Sequence, residues 1–436
     1  MHMKRFYYGI ASVAAAASLA SAVAFADGLE KDVLFSGKFA GRGETGVTND
    51  LGAEALYFNP AGLAMGRTGV EATADISPTW AHVEAPLTSN GVNVSGNASY
   101  DTLYGAFASY GINEHWGIGV ASYTGAGAHS EFDNSTFTSV AGSSVTGDIK
   151  SRIYDTEVAI GSGYEVLPGL RLGAAWRISH MSADLNNFAY SSATGTAEAL
   201  QLAGMGQWRY NGFRAGAEYT APDNSWGLGV NWRSSVAFNM SGTVAGTYSN
   251  PALASGASQN FTGGPATLGA TLPSQITVGG NYELIAKKLR GYLEYVWTQY
   301  HTDQQLNIGG SVTSLLGTAS LPNIPLGYNN ESDAHVGLEC TAVPNWVYRV
   351  GYIWTSQVTP NILASPQSFP PGHGNTITFG AGTQLIPDFL ELNGAVEYTW
   401  LDGDGTGPGV GSTGQYASGE YTAKAYGLHL GATVRF

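Results

Sequence analysis

Residues 375–401 read NTITFGAGTQLIPDFLELNGAVEYTWL, two alternating runs on either side of the dipeptide Pro387-Asp388. In the second run Leu390, Leu392, Gly394, Val396, Tyr398 and Trp400 alternate with Glu391, Asn393, Ala395, Glu397 and Thr399. A period of two places the first set on one face of a strand and the second on the other. One face is apolar and ends in aromatic rings; the other carries isolated charges and small residues. Trp346, Tyr348, Val350, Tyr352 and Trp354 repeat the pattern against Val347, Arg349, Gly351, Ile353 and Thr355, as do Leu289–Trp297. A soluble β-sandwich also alternates, with its apolar faces inward. Aromatic residues at the strand ends favour instead a lipid-facing surface with interfacial girdles.

Working outward from this hairpin, strands are expected near 69–80, 100–110, 115–125, 151–165, 169–182, 209–220, 226–243, 273–284, 288–302, 333–343, 346–356, 375–386, 389–401 and 423–436. Short links such as Ile285-Ala286-Lys287, Pro344-Asn345 and Pro387-Asp388 alternate with long ones rich in Ser, Thr, Gly and Asn. The short links hold the Pro, Asn, Asp and Gly that tight turns demand. Tight turns at one end and long loops at the other, over an even number of strands, is the asymmetry of a bacterial outer-membrane barrel. The expected fold is therefore all-β, a 14-stranded antiparallel transmembrane β-barrel. On the last strand Tyr426, Leu428, Leu430, Ala432, Val434 and Phe436 share one face. An apolar C-terminal strand closing on the aromatic Phe436 reads as a signal for the outer-membrane assembly machinery.

Composition agrees. Among 436 residues there are 60 glycines, 24 tyrosines and 10 tryptophans, and only 12% are charged, against roughly 25% in soluble proteins. No mature segment has the roughly 18 uncharged residues of a membrane helix. The net charge of −14 disfavours nucleic acid as a partner. Cys340 is the single cysteine and reads as a small apolar strand residue. Lys4 and Arg5 precede an apolar run ending at Ala24-Phe25-Ala26, an A-x-A signal-peptidase site. Residues 1–26 are thus expected to be a cleaved signal peptide.

Between that signal and the first strand lies AGRGETGVTNDLGAEALYFNPAGLAM, residues 40–65. It is too irregular for a strand, and Asn59-Pro60-Ala61-Gly62 combines turn-forming residue types. Either it is a surface loop or it is a plug. A fourteen-stranded barrel leaves a lumen, and a periplasmic segment of this size suffices to fill it. The expectation is a hatch over 27–66, folded inside a barrel over 67–436.

At Asn59-Pro60-Ala61 the chain resembles the FadL type of long-chain fatty acid and hydrocarbon transporters of Gram-negative outer membranes, the OmpP1/FadL/TodX family. The stretches WGLGVNWRSSVAFNMSG (226–242), LPSQITVGGNYEL (272–284), VYRVGYIWTSQVTP (347–360) and ITFGAGTQL (377–385) share the resemblance. It implies passive transport of a hydrophobic small molecule, long-chain fatty acids foremost, by a monomer in contact with outer-membrane lipid and lipopolysaccharide. A groove among the extracellular loops would catch the ligand, and a kinked third strand would release it sideways into the membrane. That strand contains Gly117 and Gly119 and runs into Gly125 and Gly127; glycines permit a bend there, and Gly117 and Gly119 are the residues at which it is expected. The resemblance also implies helical third and fourth extracellular loops. Here 183–208 has only a short helix-compatible run, 197–205, and 244–271 has no amphipathic pattern.

Arg177, Arg233 and Arg349 lie on polar strand faces and could bind a fatty-acid carboxylate. Alternatively they pair across the lumen with Glu157, Glu294, Glu391 or Glu397. Asp402-Gly403-Asp404-Gly405 lacks the remaining positions of a calcium loop and is expected to be a loop. The nine histidines show no metal-ligand spacing, so neither metal nor cofactor is expected. No G-x-S-x-G is present, and His429 points inward, so an enzyme is not favoured. A general porin, a lipid-degrading enzyme and a surface adhesin are the competing readings.

Overall fold

In the computed structural model, residues 35–48, 51–86, 93–138, 144–191, 196–250, 259–315, 317–366, 368–406 and 418–436 are described. The expected signal peptide and the first part of the expected hatch, residues 1–34, lie outside them. Fourteen antiparallel strands form a closed ring. They are β1 (Gly69–Pro86), β2 (Ser99–Gly111), β3 (Trp116–Thr138), β4 (Ser144–Leu167), β5 (Leu170–Ser191), β6 (Thr196–Thr220), β7 (Trp226–Arg233), β8 (Gln275–Ile285), β9 (Leu289–Thr298), β10 (Glu331–Cys340), β11 (Trp346–Thr355), β12 (His373–Ile386), β13 (Leu390–Gly405) and β14 (Gly419–Arg435). Each pairs with its neighbours in sequence, and β1 closes on β14 from Glu71↔Arg435 to Glu84↔Thr422. With strands about 4.8 Å apart and tilted by about 40°, fourteen give a backbone diameter of about 28 Å.

Burial along the strands is the reverse of a soluble sandwich. On β7, Leu228 is 57% exposed while Asn231 is 4% exposed, and Trp226 and Trp232 mark the two ends of the outward face. On β14, Tyr426, Leu428 and Leu430 face out and His429 faces in. Apolar outside and polar inside is stable only against lipid. The short links turn as their residues dictate. Asn224, Lys287, Asn345 and Asp388 each adopt positive φ, and the bonds Lys288 N–H to Ile285 O (2.9 Å) and Phe389 N–H to Ile386 O (3.1 Å) close two of the turns. Asn and Asp tolerate this left-handed conformation better than most residues.

The opposite end differs from the expected long loops. β3 continues to Thr138, β4 begins at Ser144, β5 runs to Ser191 and β6 starts at Thr196. Most of 183–208 is therefore strand, with no helix over 197–205. Asp402-Gly403-Asp404-Gly405 likewise lies on β13 rather than in a loop. These extensions rise above the outer aromatic girdle, so they need no apolar outward face, and their Ser/Thr/Gly composition resembles that of a loop. The expected strand over 226–243 is broken at Ser234-Ser235, and the upper segment Val236–Ser249 changes partner from β8 to Gly264–Leu272. The next strand breaks at Pro273-Ser274, where Pro lacks the N–H that a ladder needs. The third breaks over residues 299–304, ahead of Gln305–Ser314. Three consecutive breaks let the upper segments exchange partners, Val236–Ser249 pairing with the upper part of β6 as well as with Gly264–Leu272, around an apolar cluster that includes Met181, Phe238, Met240, Leu268 and Phe369.

Candidate functional site

Residues 35–48 and 51–65 lie inside the barrel. Phe35, Phe39, Ala40, Leu56 and Leu63 are fully buried, and Phe35 packs with Tyr57, Phe107 and Tyr123 at centroid distances of 4.9–5.7 Å. Only one turn of α-helix (Ala55–Phe58) forms here. An irregular segment must find partners for its backbone groups elsewhere, and the wall supplies them. Val47 N–H donates to Glu294 (2.8 Å), Ala53 N–H to Glu71 (2.8 Å), Gly37 N–H to Asp75 (3.1 Å) and Gly43 N–H to Thr378 (3.1 Å).

Asn59 is the pivot. Its side-chain oxygen accepts from Ala61 N–H (3.2 Å), and its amide donates to Val47 O (2.9 Å) and, across to β6, to Ala217 O (3.1 Å). Pro60 at the first position of the following 3₁₀ turn (Pro60–Leu63) has no N–H to leave unsatisfied. Glycines of the wall make room for this turn. A Cβ on Gly216 would lie 2.0 Å from Asn59 Oδ1, and one on Gly173 would lie 2.2 Å from the Pro60 carbonyl carbon. Gly117 and Gly119 serve the same purpose: a Cβ on Gly117 would lie 1.9 Å from Leu63 O, and one on Gly119 would meet Leu56 and Leu63 at 2.9 Å.

The bend in β3 therefore lies elsewhere. Pairing of β3 with β4 shifts register between Thr124 and Ala126, and Tyr123 to Ala128 are buried in succession. Alternation is lost there because one extra residue, Gly125, is inserted into the strand. A Cβ on Gly125 would lie 2.5 Å from Asp155 Oδ2. The expectation of a bend at Gly117 and Gly119 is corrected accordingly; both pair regularly with β2 and β4.

This bend opens the wall. The β2–β3 ladder runs only from Gly111↔Gly117 to Gly105↔Tyr123, although β2 begins at Ser99 and β3 continues to Thr138. Above the gap Asn97 N–H donates to Glu131 O (2.8 Å). Between these limits only side chains bridge β2 and β3. Tyr104 N–H donates to Thr124 Oγ1 (3.3 Å), and His129 Nδ1 stands 3.3 Å from Asp101 Oδ2.

Directly inside this window is a cavity. Ala128, His129 and Ser130 of β3 form one wall; Val83, Ile153, Leu185, Ala270, Leu306, Leu326, Tyr328 and Phe369 supply most of the rest. Besides Tyr328, its titratable lining groups are His129 and Asp303; among the described residues no Lys or Arg lines it. Burial pushes the Asp303 carboxyl up to about 7, against hydrogen bonds from Thr271 that lower it.

The three arginines do not reach this cavity. Arg177, fully buried, forks onto Glu157: Nε donates to Oε2 (2.9 Å), Nη2 donates to Oε1, and Nη1 donates to Ser234 O (3.1 Å). Tyr123 also donates to Glu157 (2.7 Å). Arg349 Nε donates to Glu339 (2.8 Å) and its Nη1 to Asn393 (2.8 Å). Arg233 is buried opposite Gln275 and Arg214 in the two ladders of β7. Of the two readings of Arg177 and Arg349, ion pairing within the lumen is the one found, with Glu157 for Arg177 as expected and Glu339 for Arg349. Arg177→Met should lower unfolding stability by about 3–5 kcal/mol, because Glu157 stays buried without its partner. A urea titration in detergent checks it, and pairing the change with Glu157→Gln should recover most of the loss.

The fold has clear counterparts. The family model described as outer membrane protein transport protein (OMPP1/FadL/TodX) matches residues 13–436. A search of curated protein sequences finds no match. A Pseudomonas aeruginosa FadL homologue superposes with a TM-score of 0.73 at 16% identity, over 93% of this chain and 99% of that one. The P. putida toluene transporter TodX gives 0.72 at 16%, over 94% and 98%. The Ralstonia pickettii toluene transporter TbuX gives 0.70 at 17%, over 94% and 99%. The chain belongs to the OMPP1/FadL/TodX family of outer-membrane transport proteins for hydrophobic compounds.

Proposed function

We propose that the chain carries uncharged hydrophobic small molecules, monoaromatic hydrocarbons among them, through the upper cavity and sideways into the outer membrane between β2 and β3. The observation that carries this reading is the cavity itself. It is apolar, it adjoins the only part of the β2–β3 boundary that lacks a backbone ladder among the described residues, and no cation lines it. A long-chain fatty acid would bring its carboxylate beside Asp303 with no arginine to receive it. A neutral ring or alkyl chain gains about 0.8 kcal/mol per buried CH₂ and never crosses an aqueous lumen. The segment over 27–66 would act as the hatch that keeps the lumen below the cavity shut. Lipid faces the outward girdles, and the assembly machinery would read the outward Phe436, which is 57% exposed.

Uptake of labelled toluene and labelled oleate, in cells lacking their own transporter and expressing this chain, tests the reading. Toluene should enter faster than in empty cells while oleate does not. Oleate uptake that falls on Arg349→Ala would sink the reading in favour of a carboxylate site. pH gives a second handle. Asp303 is neutral below about 7 and ionised above it, and a hydrocarbon strips water from the ionised form at a cost. Toluene binding should therefore weaken as pH rises from about 6 to 8, through that value. Asp303→Asn should flatten the profile, which isolates Asp303 from His129 in the same wall.

A further inference from the structure

Asp303 is an odd residue for a cavity that holds only hydrocarbon. It lies beyond the outer end of β9, 8% exposed, and its N–H donates to Tyr300 O (2.8 Å). Its carboxylate receives the backbone N–H and the hydroxyl of Thr271. A carboxylate offers about four acceptor positions, so acceptor capacity remains toward the cavity. Two hydroxyls of the same lining have turned their protons away: Ser130 donates to Pro366 O (3.0 Å) and Ser368 to Ser365 O (3.0 Å). What these three side chains offer a ligand is therefore acceptors. With Leu306, Leu326 and Phe369 they line one cavity, so a ligand held by the apolar side chains has carboxylate and hydroxyl oxygens in the same lining.

We propose that this cavity selects hydroxylated hydrophobic molecules, phenols above all, over the bare hydrocarbon of the same shape, with the ligand hydroxyl donating to the Asp303 carboxylate. The proposal rests on the reading that the cavity takes an uncharged ligand, and it names the class. A hydrocarbon seated here removes water from Asp303 and returns nothing. A hydroxyl replaces that water with a charge-assisted bond. A site built to accept such a bond discriminates against the analogue that lacks it. An anionic ligand meets the carboxylate's charge.

The test is calorimetric titration of the detergent-solubilised full chain at pH 8, where Asp303 is ionised, with m-cresol, toluene and benzoate as probes. Cresol is toluene with one hydroxyl added and is the less hydrophobic of the two. It should nonetheless bind about tenfold more tightly or better, and benzoate should bind least. Asp303→Ala should bring cresol to or below toluene while toluene binds at least as well as before, which shows that the cavity is intact. Should the alanine variant fail to fold, Asp303→Asn keeps the shape and should still shrink the preference, since the bond loses its charge. Toluene binding equal to or tighter than cresol in the unaltered chain overturns the hydroxyl proposal alone, as does a preference that survives both substitutions. Benzoate binding more tightly than either neutral probe overturns the uncharged-ligand reading as well.

Discussion

Removing residues 27–65 should turn a closed barrel into a wide conducting pore. Fourteen strands enclose a backbone cylinder about 28 Å across, and the described part of this segment occupies it with fully buried side chains such as Phe35, Phe39 and Leu56. Its backbone is held by wall carboxylates, Glu294 and Glu71 among them. Those contacts belong to the segment and not to the ring: all fourteen ladders join strands that begin at Gly69 or later. The ring should therefore survive the deletion. Conductance in a planar bilayer should rise on the order of tenfold or more, because it scales with the open cross-section of a lumen this wide. A less drastic version uses the glycines that let the hatch sit against the wall. Gly216→Leu places side-chain atoms where Asn59 Oδ1 now lies, and Gly173→Leu does so at the Pro60 carbonyl. The double variant should show intermittent openings. Unchanged conductance in both folded variants would mean that the segment is not what closes the pore.

How far the sequence carried these conclusions differs from element to element. The ring of fourteen strands was legible because lipid on one side and a polar lumen on the other impose period-two alternation, as along Leu390–Trp400. Tight turns add residues tolerant of positive φ at Asn345 and Asp388. The extensions above the membrane were not legible. Residues 126–133 and 183–188 lie in strands without an outward apolar face, so nothing but backbone pairing marks them. The sequence marks the strand and offers four glycines for the bend, Gly117, Gly119, Gly125 and Gly127, without a means of choosing Gly125 over the first two. Gly117, Gly119 and Gly125 look alike in sequence. Only the close approach of Leu63 to the first two, and of Asp155 to the third, tells a glycine that admits the hatch from one that carries a bulge. The arginines were legible as inward charges, and Glu157 was recognised as a partner from its face. Glu339 was not, because it stands near the turn-side end of β10. The cavity had no signature at all. Its lining comes from strands and links between Val83 and Pro370, and its apolar residues are individually ordinary. Asp303 in particular sits in a link where an acidic residue looks like solvent-exposed punctuation.

Deleting the single residue Gly125 should abolish uptake while leaving the barrel folded. The bulge sets two residues of β3, Thr124 and Gly125, against one step of β4. Without Gly125 the pairs Thr124↔Thr156 and Ala126↔Asp155 become consecutive. Every later pairing of β3 with β4 survives, and the alternation of faces is restored across the joint. A straight β3 then runs beside Ser99–Tyr104, whose free backbone edge it can pair with, and the ladder that now stops at Gly105↔Tyr123 extends upward. That seals the wall where the cavity meets it. Toluene uptake should fall to the level of cells without the chain, while folding, read as a heat-dependent shift on a denaturing gel, is kept. Asp101→Ala should have the opposite tendency, since it removes the side-chain contact to His129 across the same gap without altering the length of either strand. If the folded deletion variant still takes up toluene at the full rate, the ligand does not leave through this wall. A route downward past Asn59 is then the next reading, and on it the Gly173 and Gly216 substitutions would change the uptake rate as well as conductance.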